Sequence, residues 1–219
     1  MSIDPMTIVF AGVAIFVAWR LWSVLGTRTG AEPPMRAPRG GGQIIDMKPA
    51  PPPPPPADRW RGIAEAGTPL ARGLDAIAAS DSSFDAQHFL VGARAAYEMI
   101  IEAFAAGNLD ALRGLLAPEP FANFSRAIAA RKAAGQTMAV TLVSLDKADI
   151  VDAGARGGEA MVKVRFVSKM TSVTRDALGS VVDGSPTRVD DHIDIWTFAR
   201  PLGSQNPNWL LAATEEAAP

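Results

Sequence analysis

The apolar residues of this chain change period at Gly135, and that change limits the fold more than any single motif. Upstream they recur every three or four positions. The longest such run, residues 85–106, puts Phe89, Ala93, Ala96, Tyr97, Ile100 and Phe104 on one helical face and stops at Gly107. Before it, Thr68 is placed to cap a helix whose first turn accepts Pro69 and whose buried face is Leu70, Leu74 and Ile77. A weaker helical segment passes through Trp60 and Ile63. After it, Asn108 caps a short Leu109, Leu112, Leu115, Leu116 turn, and Pro118 starts a helix through Phe121, Phe124 and Ile128. Downstream of Gly135 the spacing becomes two. Met138, Val140 and Leu142 open a strand that continues through Ile150, and residues 160–174 alternate Val162, Val164, Phe166 with Lys163, Arg165, Val167. A third strand covers residues 189–198 and a last one residues 209–214, with Gly157-Gly158, Asp183-Gly184 and the 201–207 segment as connections. Helices first and antiparallel strands afterwards make an α+β domain. It occupies residues 85–219, with outlying helices in 58–84.

The first thirty residues follow different rules. Residues 6–25 form a mainly apolar run with Arg20 as its only charge, about the 20 residues that a helix needs to cross a bilayer. No basic n-region precedes the run and no small-x-small cleavage site follows, so it reads as a retained anchor rather than a cleaved signal. Trp19, Arg20 and Trp22 sit where indoles and a snorkelling guanidinium mark the membrane interface. The bases Arg20, Arg28, Arg36, Arg39 and Lys48 all lie at or beyond the C-terminal end of the span, which places the C-terminal domain in the cytoplasm by the positive-inside rule. A bacterial inner membrane suits that single-pass arrangement. Residues 31–57, with three consecutive glycines and the six prolines of 51–56, form a linker that cannot bury a core and holds the domain off the bilayer.

The residues narrow the chemistry. There is no cysteine, hence no disulfide, thiolate metal site or cysteine nucleophile. The formal net charge of −2, with bases scattered, lacks the electrostatic footprint of a nucleic-acid binder. No phosphate cradle, dinucleotide fingerprint or nucleophile elbow is present, and no cofactor is implied. The best chemical candidate is Asp190, His192 and Asp194, which alternate onto one strand face and so could meet a metal or share protons. The plainer reading pairs them with Lys163, Arg165 or Lys169 across the sheet. His88, at the start of the long helix, reads as a surface or capping residue. Glu98 and Glu102 stand one turn apart with Arg94 a turn before, a solvated polar stripe.

Several ordered blocks carry a resemblance: Arg20-Leu-Trp-Ser-Val-Leu-Gly-Thr-Arg-Thr-Gly30, Phe89-Leu-Val-Gly-Ala-Arg-Ala-Ala-Tyr-Glu-Met-Ile-Ile-Glu-Ala-Phe104, Val140-Thr-Leu-Val-Ser-Leu-Asp-Lys-Ala-Asp-Ile-Val-Asp152, Asp194-Ile-Trp-Thr-Phe198 and Asn206-Pro-Asn-Trp209. With them the chain resembles the bacterial Tim44-like adaptors of the inner membrane, relatives of mitochondrial Tim44. The resemblance implies a nuclear-transport-factor-2-like fold, with helices in the concave face of a curved four-stranded antiparallel sheet and an apolar pocket between them. Phe104, Phe121, Phe124, Trp196 and Trp209 are the candidate lining of that pocket. It also implies a non-enzymatic adaptor or chaperone-like role in protein translocation, insertion or quality control, with the lipid bilayer and polypeptide clients as partners. The alternative is an enzyme or small-ligand binder using the same pocket.

Overall fold

The structure is a computed structural model and describes residues 59–216. The expected span, the proline-rich linker and the interface residues Trp19, Arg20 and Trp22 lie outside the described residues. Among those described, no helix is long and apolar enough to cross a membrane.

Four helices precede four strands: α1 (Pro69–Ser80), α2 (Ala86–Ala106), α3 (Leu109–Arg113), α4 (Pro118–Ala133), then β1 (Thr137–Arg156), β2 (Glu159–Arg175), β3 (Val181–Pro201) and β4 (Leu210–Glu216). The strands form one antiparallel meander in the order β1-β2-β3-β4, and the helices pack against it. The α+β class and the change of period at Gly135 are therefore both present. Local chemistry fixes the helix ends. Thr68 Oγ1 accepts from Ala71 N at 3.2 Å with Pro69 in the first turn, Asp85 Oδ1 accepts from His88 N at 2.7 Å, and Gly107 closes α2 in the left-handed region at φ 67°.

The described part of the 58–84 segment, residues 59–84, contains one helix rather than two. At Trp60 there is a single hydrogen-bonded turn, its carbonyl accepting from Ile63 N and Ala64 N. Too few residues separate this turn from Gly67 to pay back a helix nucleus. Trp60, Leu74 and Ile77 are buried in the same cluster as Phe89, Tyr97 and Phe198, so this segment docks on the sheet. Gly73 permits it: a Cβ there would overlap the carbonyl oxygen of Ala153 on β1 and come within 2.7 Å of its carbonyl carbon.

The strands run longer than the alternation predicts. Asp183-Gly184 is not a connection: Asp183 pairs with Thr174 and Gly184 with Val173. The hairpin tip lies earlier, where the Asp176 carboxylate accepts from Leu178 N and Ser180 N and Gly179 takes φ 83°. Gly184, at φ 74°, lies against the Ser172 carbonyl. The register then slips at Ser185, whose hydroxyl accepts from Thr187 N and Arg188 N, so that Pro186 escapes the ladder.

The helical layer and the last strand are tied directly. Ala117 N donates to Leu211 O and Leu211 N donates to Leu115 O, both at 2.9 Å, and Leu211 is fully buried.

Candidate functional site

Alternation along β2 and β3 divides the sheet into a helix-covered face and an outer face. Val162, Val164, Phe166 and Ser168 of β2 are fully or almost fully buried on the covered face, opposite Phe198, Trp196, Asp194 and His192 of β3. Asp190, His192 and Asp194 do share that face, as the spacing requires. They do not form a metal site, and no group of three metal-ligating side chains occurs among the described residues. Asp190 takes both carboxylate oxygens to Arg188 Nε, at 2.9 and 3.1 Å. The expected cross-strand lysine pairing with these residues is not made: Lys169 bonds Asp191, its register partner on the outer face, at 2.6 Å, and Lys163, on that same face, reaches Glu215 of β4 at 2.7 Å.

Asp194 has the partner the sequence did not reveal. Tyr97, the only tyrosine in the chain, donates to Asp194 Oδ2 at 2.7 Å and lies 2.8 Å from Ser168 Oγ. Tyr97 and Ser168 are both shut off from solvent. The ring stacks on Phe166 at 4.5 Å and lies 4.6 Å from Trp196. Burial, with the Asp194 charge adding to it, pushes the phenol pKa well above the ordinary tyrosine value. Tyr97 is consequently a fixed donor and cannot act as a base near neutrality. A raised pKa stabilises the fold while the phenol is protonated, so this contribution is complete below the unfolded pKa of about 10 and fades as pH rises beyond it. We expect the wild-type melting temperature to fall between pH 9 and 11 more steeply than that of Tyr97→Phe. At neutral pH the variant should lose about 1–3 kcal/mol, since Ser168 and Asp194 lose their shared partner. Parallel pH-dependent slopes would remove Tyr97 as the source.

The five aromatic candidates do not line one pocket. Trp196 is in the core with Tyr97, Phe166 and Phe198. Trp209 belongs to a second cluster, 4.9 Å from Phe89 and 5.8 Å from Phe84, with the Arg200 guanidinium 5.0 Å over its ring. Arg200 in turn is ion-paired with Asp81. Phe104 and Phe124 do meet, edge to face at 5.2 Å, and both are half-buried. Arg131 lies 5.1 Å over Phe104 and donates to the Phe104 and Ala105 carbonyls, satisfying the end of α2. Half-buried Phe121 lies under Arg113 at 5.4 Å. Three of these rings, Phe104, Phe121 and Trp209, thus carry a guanidinium over one face.

A groove opens elsewhere, between the C-terminal half of α2 and α3. Its volume is about 530 Å³, and Met99, Glu102, Ala103, Ala106, Ala111 and Leu115 are among its lining. The solvent face of α2 leading into it exposes Val91 by 67% and Met99 by 47%. Arg94, expected to complete a polar stripe with Glu98 and Glu102, turns away and donates to Leu145 O on β1 at 3.2 Å. Neither the exposed apolar residues nor the isolation of the two carboxylates follows from helical spacing, which cannot say where a long arginine reaches.

Comparison with known proteins matches this architecture to a family model described as the Tim44-like domain, over residues 70–216. Two curated relatives are similar to the chain: the mitochondrial import inner membrane translocase subunit TIM44 of mouse, 24% identical, and that of human, 23% identical, each over 141 residues. These alignments cover 64% of this chain and 31% of each relative, so the chain spans less than a third of their length. Among solved structures, the intermembrane-space region of chloroplast protein ARC6 is similar at 15% identity and a TM-score of 0.41, over 57% of this chain and 96% of that one. Matched over about two-thirds of its residues, from α1 through β4, the chain belongs to the Tim44-like domain family.

Proposed function

We propose that this protein is a membrane-tethered adaptor that binds polypeptide during protein translocation, insertion or quality control at a bacterial inner membrane. The observation carrying this reading is the family match over residues 70–216, together with relatives that are named as subunits of an import translocase. Residues 1–30 serve as the anchor and 31–57 as the spacer, with the folded domain on the cytoplasmic side. The buried hydroxyls of Tyr97 and Ser168 are closed to substrate and so supply no catalytic group. Binding, by contrast, needs only surface, and half-buried Phe121 and Phe124 on α4 offer it. Photo-crosslinkers placed at Phe121 or Phe124 in cells should capture a membrane-associated polypeptide. The same probes at exposed Lys147 and Arg156 on β1 should capture much less. Equal capture at both pairs of positions would leave α4 without a role.

A further inference from the structure

The solvent face of α2 breaks two local rules at once. Val91, Gly92, Ala95, Met99 and Ala106 form an exposed stripe that continues into the α3 groove at Ala111, Gly114 and Leu115, and no described side chain covers it. Glu102 lines the groove within that stripe and Glu98 stands one turn before it at the edge, like charges that weaken a helix, and neither has an ion pair among the described residues. A fold that needed this face only for solubility would intersperse bases with those acids, as the outer face of the sheet does with Lys163–Glu215 and Lys169–Asp191. The small side chains let a second backbone approach closely, while Val91 and Met99 provide knobs on either side of Ala95. Contiguous exposed apolar surface of this kind marks a binding site.

We infer that the α2–α3 face docks an amphipathic helix of a resident partner protein. Its apolar side carries leucine-sized residues, and one flank carries lysines or arginines a turn apart that pair with Glu98 and Glu102. Charge complementarity chooses this occupant. A second copy of the chain would bring its own Glu98 and Glu102 against these, and an anionic bilayer would be repelled by them. The floor of alanines and glycines favours one close crossing of defined sequence over passing clients. This surface is separate from Phe121 and Phe124, so it stands or falls independently of crosslinking on α4.

The test uses the full chain in zwitterionic lipid nanodiscs, with empty discs as background. Three labelled peptides are titrated by fluorescence anisotropy: a leucine-faced helix with lysines at two positions one turn apart on one flank, its glutamate counterpart, and a shuffled lysine peptide of the same composition. Saturable binding should be confined to the first. Glu98→Lys combined with Glu102→Lys should weaken it by about ten-fold or more, as for close charge pairs, and should transfer preference to the glutamate peptide. Ala95→Trp, which fills the stripe without changing charge, should block both while circular dichroism stays unchanged. Equal affinity for lysine and glutamate peptides, binding unaltered by Ala95→Trp, or no binding above empty discs would overturn the assignment.

Discussion

Replacing Gly73 by alanine should unseat α1 from the sheet and cost about 2 kcal/mol or more, although alanine is the better helix former by about 1 kcal/mol. The reason is spatial. The Ala153 carbonyl occupies the place of the new Cβ, and it is backbone of a paired strand, Ala153 opposite Val162, that cannot swing aside. Relief therefore requires the helix to move, which exposes Leu74 and Ile77, both fully buried. Urea denaturation with circular dichroism would read the loss, and limited proteolysis should release residues before Phe84 first. A variant as stable as the wild type would mean that the helix can rotate without penalty.

Trp196→Ala and Phe121→Ala should separate core from surface among the five aromatic candidates. Trp196 is only 5% exposed and touches Tyr97, Phe166 and Phe198, so its removal should cost about 3–5 kcal/mol, enough to unfold many domains of this size. Phe121 is half-buried and capped by Arg113, and its removal should cost about 1 kcal/mol while abolishing crosslinking from α4. Thermal melts of the pair, taken beside the crosslinking yield, decide the matter. Comparable destabilisation by the two substitutions would place Phe121 in the core and weaken the proposed role of α4.

What the sequence made legible was whatever is decided within a few residues. Thr68 capping with Pro69 behind it, the left-handed stop at Gly107, and the helical and alternating periods on either side of Gly135 are local effects. What it concealed depends on positions far away in the chain. Asp183-Gly184 has turn chemistry, yet the turn is taken by Asp176 and Gly179, whose hydrogen bonds close the tip, leaving Gly184 paired with Val173 inside the ladder. Tyr97 reads as one more apolar position at helical spacing, and nothing around it announces Ser168 and Asp194, two strands away. Gly73 counts against a helix by propensity alone, and its value is set by a carbonyl eighty positions later. The candidate aromatic residues were recognisable as large and apolar, but hydrophobicity does not distinguish Trp196, walled in by three rings, from Phe121 under a guanidinium.

The backbone link between Leu115, Ala117 and Leu211 bears on how the chain is made. A meander of neighbouring strands can zip as it emerges from the ribosome, whereas this link joins the helical layer to the last strand across the whole sheet. Closing so long a loop is slow and cannot begin until Leu211 has left the exit tunnel. A nascent chain would thus wait with its helices formed and their apolar sides unsealed, and synthesis of the final strand, not the first helix, would time the end of its dependence on holding factors.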